Sequence, residues 1–264
     1  MVNIIEGRSS RPESLIGTDL EDWMGGYQGN DRLEGRRGND QIDGGDGYDH
    51  AIGGEGNDGI WGGTGDDYLR GDNGRFQPRI VGEDNDKLFG GPGNDVLYVG
   101  DGNDNLTGAA GNDTFLFQFH NPIPGVLGTA SDITTILDFN AKEDTFVFDA
   151  VGLGDDGFGA NFVNNAAGPS GSPVSSFYSG PGAGAKGEHV VVITDESFET
   201  ASAAAREISG EKSGDIIAYH DGLSKMAKLA YVTGENQAHD FVNINGVPDF
   251  TAMAGLTAWD FTYI

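Results

Sequence analysis

An aspartate returns every nine residues through the first part of this chain: Asp22, Asp31, Asp40, Asp49, Asp58 and Asp67 keep the step without exception. After an interruption Asp86, Asp95, Asp104 and Asp113 resume it. A strict short period means that one small unit stacks on copies of itself, because no single copy could bury a core. Glycine keeps the same beat. Gly26, Gly35, Gly44, Gly53, Gly62, Gly90 and Gly108 lie five residues before an aspartate, and Gly29, Gly38, Gly47, Gly56, Gly65, Gly93, Gly102 and Gly111 lie two before one. Two residues after the aspartates come Met24, Leu33, Ile42, Ala51, Ile60, Leu69, Leu88, Leu97, Leu106 and Phe115. The unit reads G-G-x-G-x-D-x-U-x, with U apolar.

Six residues rich in glycine and asparagine tolerate the positive φ angles of a tight turn, and three more make a short strand whose middle side chain points inward. Two units then complete one circuit of a solenoid. Counting on from the first copy, Asp22, Asp40, Asp58, Asp95 and Asp113 are expected along one edge. Asp31, Asp49, Asp67, Asp86 and Asp104 are expected along the other.

Stacked carboxylates need a counter-charge. The chain carries 42 acidic against 15 basic residues, a formal charge of -27, which argues against nucleic acid or anionic lipid as partners. Carboxylate and backbone carbonyl oxygens between stacked turns form a hard-oxygen cage suited to Ca²⁺; Zn²⁺ would want Cys or His. The metal ligands are therefore expected among the ten aspartates and the glycines of both rows, with about seven ions held between turns. There is no Cys to staple the fold, so metal is the expected staple.

These repeats resemble those of the repeats-in-toxin (RTX) family over residues 17–117. The resemblance implies a calcium-binding protein of a Gram-negative bacterium, exported by type I secretion machinery and folded outside the cell. In keeping with that route, the N-terminus shows no basic segment followed by an apolar run, and no stretch of about 18 apolar residues suggests a membrane span.

Two irregularities stand out. The spacing from Asp67 to Asp86 is 19, with Phe76 in the slot where an aspartate is due and Pro78 unable to join a ladder. An outward loop is expected there, with Ile80 or Val81 returning to the core and a weak or missing calcium site beside it. The first copy is degenerate, with Leu20 in a glycine position.

The fold class expected is mostly all-β: a parallel β-roll over 1–117, then a β-rich C-terminal capping and secretion domain over 118–264 with one short helix. Residues 108–149 resemble the segment that closes such rolls, and Phe115, Phe117, Phe119, Phe146 and Phe148 alternate as in half-buried strands. Residues 151–187 are rich in Gly, Ser and Pro and read as a long loop. Strands are expected at His189 to Ile193, Asp215 to His220, Ala227 to Thr233 and Phe241 to Ile244. A helix is expected from Glu199 to Ser209, ended by Gly210, and a hairpin at Asn245-Gly246. The final "GLTAWDFTYI" resembles the uncleaved C-terminal signal of type I substrates.

No H-E-x-x-H or G-x-S-x-G motif occurs, so no catalytic residue is nominated. A hydrolase could still assemble late in the chain, for example from His220 or His239 with Asp221 or Asp240. The stronger rival reading is an adhesin or matrix protein contacting polysaccharide or a cell surface.

Overall fold

The structure, a computed structural model, describes residues 2–8, 10–72, 84–100, 102–117, 133–148, 174, 176–212 and 214–263. Phe76, Pro78, Ile80, Val81, Phe119, His120 and most of the 151–187 segment lie outside the described residues. The chain divides into two compact units, Met1–Gln118 and Phe119–Ile264.

In the first unit each nonapeptide contributes one strand, and successive strands go to two different sheets. One sheet holds β1 (Asn3–Glu6), β3 (Asp22–Gln28), β5 (Gln41–Asp46), β7 (Gly59–Thr64), β9 (Lys87–Pro92) and β11 (Asn105–Ala110). The other holds β2 (Ser14–Ile16), β4 (Arg32–Arg37), β6 (His50–Glu55), β8 (Tyr68–Asp72), β10 (Val96–Val99) and β12 (Thr114–Phe117). All these pairings are parallel, and the register stacks each apolar U residue on the next: Met24 on Ile42, Ile42 on Ile60, Leu33 on Ala51, Leu97 on Phe115. All ten U side chains are buried. A single apolar column from each sheet is a thin core, which is why the edges of the roll matter so much.

The edge assignment needs one correction. Ile60 pairs with Leu88, and Leu69 with Leu97. Asp86 and Asp104 therefore continue the edge of Asp22, Asp40 and Asp58, whereas Asp95 and Asp113 continue that of Asp31, Asp49 and Asp67. Counting by nines makes the stretch from Asp67 to Asp86 two repeats, whereas the stacking of Asp58 on Asp86 and of Asp67 on Asp95 makes it one. Stacked aspartates are 18 residues apart elsewhere and 28 apart across this segment, ten more than one circuit uses elsewhere. Gly71 takes the glycine position belonging to Asp86, since a methyl group placed on it would meet Asp86 Oδ2.

In the second unit strands run in the order β13 (Thr134–Ile136), β19 (Gln237–Ile244), β18 (Met226–Gly234), β17 (Ile216–Asp221), β16 (Val190–Phe198), β15 (Phe177–Gly180). β17, β18 and β19 form an antiparallel meander, and β13, β15 and β16 join in parallel. β14 (Thr145–Phe148) pairs in parallel with β20 (Phe261–Tyr263). Every residue of β17 is buried: the apolar run Ile216–Tyr219 fits a strand covered on both faces, and His220 and Asp221 are buried at its end.

Three local expectations change. The helix is only Ala201–Ala205, capped by Thr200 Oγ1 accepting from the Ala203 N–H at 3.1 Å. The chain leaves it early so that Ile208 can enter the core and Ser209 can donate to the Ala185 carbonyl at 2.9 Å. Asn245-Gly246 makes a turn with Gly246 at φ 83°, but β20 beyond it pairs with β14, so no hairpin forms there. The tight hairpin turn is Glu235-Asn236, with Asn236 at φ 57°. Finally, the end of the 151–187 segment is ordered, containing β15 and a 3₁₀ turn at Gly182–Gly184.

Candidate metal centre

All ten repeat aspartates are buried, none more than 3% exposed. Their two carboxylate oxygens have different tasks. In eight of them Oδ1 accepts the backbone N–H of the aspartate one coil earlier, for example Asp40 from Asp22 at 2.8 Å, Asp49 from Asp31 at 2.7 Å, Asp58 from Asp40 at 2.8 Å and Asp95 from Asp67 at 2.8 Å. This ladder locks each carboxylate in place along the edge. Oδ2 is left over. In Asp31, Asp40, Asp49, Asp58, Asp67, Asp86 and Asp95 it is buried with no hydrogen-bond partner. A buried carboxylate oxygen without a partner costs several kcal/mol unless a cation or proton meets it.

What lies beside Oδ2 identifies the cation that fits. A methyl group on Gly35 would overlap Asp40 Oδ2 and stand 2.7 Å from the Gly53 carbonyl oxygen of the next coil. Gly53 relates in the same way to Asp58 Oδ2 and the Gly71 carbonyl, Gly62 to Asp67 and Gly90, Gly90 to Asp95 and Gly108. Gly26 and Gly44 repeat the arrangement with Asp31 and Asp49, and Gly108 touches Asp113 Oδ2. The glycine leaves room for two convergent oxygens. The second row behaves otherwise: Gly47, Gly56, Gly65, Gly93 and Gly111 each press on the carbonyl of the equivalent glycine one coil earlier. In that row Gly29 and Gly102 lie beside Oδ1 of Asp31 and Asp104, and Gly38 lies against the Leu20 carbonyl.

Carboxylate oxygens with backbone carbonyls suit Ca²⁺, which accepts six to eight oxygen ligands in flexible geometry. Among the described residues no three His, Cys, Asp or Glu side chains come together as a zinc site would need. Burial also lifts the carboxyls, against the opposing help of the ladder N–H bonds: Asp40 and Asp49 to about 6, Asp67 and Asp95 to about 7, Asp58 to about 8. Asp86 is pushed well upward by burial and by repulsion from Asp104, Asp72 and Asp58. These groups resist ionisation until a cation compensates them.

The N-terminal coil holds residues that the nine-residue count passed over. Glu13 takes an aspartate's place, its N–H donating to Asp31 Oδ1 at 2.8 Å and its carbonyl accepting from the Arg32 N–H at 2.9 Å. Its Oε2, however, accepts the Arg8 N–H at 2.7 Å. Asp22 is similarly occupied: Oδ2 accepts the Thr18 N–H at 2.6 Å, and Oδ1 accepts the Asn3 amide at 2.8 Å. The first coil thus closes its carboxylates with its own chain. Glu13 stands 18 residues before Asp31, the signal by which it could have been found.

Of the residues weighed for catalysis, His220 meets a serine while Asp221 and Asp240 are engaged by other partners. His220, 2% exposed, meets Ser197 Oγ through Nδ1 at 2.7 Å. Asp221 instead binds Lys228, Ser224 and the Leu223 N–H, which together outweigh its burial and hold it at about 2. Asp240 is taken by Lys228 at 3.0 Å and by the Tyr219 hydroxyl at 2.7 Å. Among the described residues no helix is long and apolar enough to cross a membrane.

Residues 16–51, 49–75 and 80–115 match the RTX calcium-binding nonapeptide repeat, in four copies. Over 161 residues the chain is 44% identical to nodulation protein O of Rhizobium leguminosarum bv. viciae, a match covering 58% of this chain and 56% of that protein. The match spans about half the length of this curated relative. It is also longer than the repeat region, so the likeness is not confined to the repeats.

Proposed function

We propose that this RTX repeat protein is a secreted factor that leaves the cell unfolded, folds on extracellular calcium, and then works as a structural or binding module. The observation that carries the reading is the row of buried, unpartnered Oδ2 atoms facing glycine carbonyls across stacked turns. We assign the ligands to Asp31, Asp40, Asp49, Asp58, Asp67, Asp86 and Asp95 with the carbonyls of the neighbouring first-row glycines, giving about seven ions.

Extracellular calcium modules bind with Kd of about 10⁻⁴ to 10⁻³ M, well above resting cytosolic calcium, so the coils stay open inside a cell. At ten times Kd each site adds about 1.4 kcal/mol, and seven add about 10 kcal/mol, comparable to the whole stability of a typical domain. Calcium therefore decides whether the roll exists. Type I machinery as the exporter and an extracellular destination follow from the repeats and belong to the same proposal. The likeness to a nodulation protein favours a role in nodulation.

A calcium titration of the full chain, followed by far-UV circular dichroism, tests the reading. A cooperative gain of β signal in the 10⁻⁴ to 10⁻³ M range supports it. A β signal that survives chelation unchanged, or that Mg²⁺ restores equally well, overturns it.

A further inference from the structure

The outer face of the sheet containing β3, β5 and β7 carries two tryptophans in an unusual setting. Trp23, Gln41 and Gly59 share one register column. Gly25, Asp43, Trp61 and Phe89 share another on the same face. Each indole folds over a glycine in its own strand: a methyl group on Gly25 would stand 3.0 Å from the Trp23 ring, and one on Gly59 would stand 2.9 Å from the Trp61 ring. The glycines are buried beneath, whereas Trp61 is 42% and Phe89 41% exposed. Both indoles thus rest on the sheet, Trp61 exposed and Trp23 half-buried, two coils or ~10 Å apart. The exposed Gln41 and Asp43 side chains stand on the strand between them.

We propose that this face binds an uncharged linear polysaccharide lying along the solenoid axis, its sugar rings stacked on Trp23 and Trp61. Aromatic surface takes the C–H faces of pyranose rings, while the Gln41 amide and Asp43 carboxylate offer a donor and an acceptor for ring hydroxyls. The two-coil spacing is close to the length of two sugar residues, so a periodic ligand meets a periodic platform in register. Charge excludes one class: with a formal charge of -27, still negative with about seven Ca²⁺ bound, the protein repels polyanionic chains, and a platform whose polar groups are one amide and one carboxylate suits uncharged rings. The proposal names a ligand for the binding module proposed above and rests on that reading.

The experiment uses the full chain in calcium, with cellohexaose as the probe and a hexagalacturonate as the charged control. Tryptophan fluorescence should shift saturably with cellohexaose and not with the control. Trp23→Ala and Trp61→Ala should each weaken binding about three- to tenfold, with calcium-dependent circular dichroism unchanged. Gly59→Ala, which lifts the Trp61 ring while keeping both aromatics, should also weaken it, and Trp61→Phe should retain most of it. No saturable shift in the folded protein overturns the proposal, as does full binding by the double Trp→Ala variant or burial of this face in a dimer by sedimentation. Loss of calcium-dependent folding in the unaltered protein would instead overturn the reading on which it rests.

Discussion

The backbone N–H of Asp58 donates to Oδ1 of Asp86 at 2.9 Å, the bond that Asp40 makes to Asp58 at 2.8 Å, although 28 residues separate the first pair and 18 the second. The edge of the roll therefore runs without a break past the irregular segment. Removing residues 73–82 would join Asp72 to Glu83 and restore an ordinary nonapeptide turn ending at Asp86. The shortened protein is expected to fold at the same calcium midpoint as the full chain. A midpoint raised severalfold would show that the removed residues support the coil.

The same continuity bears on single aspartates. Asp49 and Asp67 each accept a ladder N–H at 2.7 Å from the preceding coil and each keep a buried unpartnered Oδ2. Asp49→Ala and Asp67→Ala should raise the calcium midpoint equally, each by up to about 3 kcal/mol if two neighbouring ions weaken. Asp49→Asn keeps the ladder acceptor and loses only the charged oxygen, so it should show most of the same effect. A markedly milder Asp67→Ala would mean that stacking is interrupted after β8.

Metal-free behaviour should depend on pH in an inverted sense. Burial lifts Asp40, Asp49, Asp67, Asp95 and Asp58 from 3.8 to between about 6 and 8, so the coiled state holds protons that the unfolded chain has lost. Stability from these groups is fully present below the unfolded value near 4 and is lost as pH rises through 6 to 8. In chelator, circular dichroism should show more β structure at pH 5 than at pH 8. In calcium the midpoint should move to higher calcium on acidification, because protons compete for the same oxygens. A metal-free β signal that falls between pH 8 and pH 5 would contradict this assignment.

The residue four before Asp31, Asp40, Asp49, Asp58, Asp67, Asp95 and Asp113 takes a left-handed conformation: Gly45 at φ 105°, Gly54 at 130°, Gly63 at 110° and Gly91 at 120°, but also Tyr27 at 72°, Arg36 at 87° and Ala109 at 77°. A side chain is strained there. Ala109→Gly, which removes only a methyl group, should stabilise the calcium-bound roll by about 1 kcal/mol, measured as a lower midpoint in denaturant-assisted calcium titrations. An unchanged or higher midpoint would show that the methyl contributes contacts exceeding the strain.

In the second unit Lys228 holds Asp221 at 3.1 Å and Asp240 at 3.0 Å, all three largely buried. Lys228→Met leaves two carboxylates facing each other and should cost about 3 kcal/mol. The loss is read as a lower Tm in saturating calcium, with the calcium midpoint for the roll unmoved. Equal shifts in both would indicate that the units fold as one.

The amino-acid order alone determined the roll: a fixed nine-residue beat admits one stacking, and each U position, from Met24 to Phe115, is buried as the period requires. It also pointed to the ten aspartates, because a buried carboxylate in a glycine turn has few uses other than metal. It could not settle how many residues of the segment around Phe76 join the winding, since a coil and an excursion of similar length look alike when only spacing is counted. Glu13 escaped for a related reason. Its turn is one residue longer than the others and holds no glycine five places before it, so the 18-residue spacing to Asp31 was its single mark in the sequence, and the hydrogen bonds to Asp31 and Arg32 show its place. In the second unit, which has no repeat, the strand segments were legible from apolar runs. Partners such as Ser197 with His220, or Lys228 with Asp221 and Asp240, were decided by tertiary packing, because strands distant in sequence become neighbours only through their shared core.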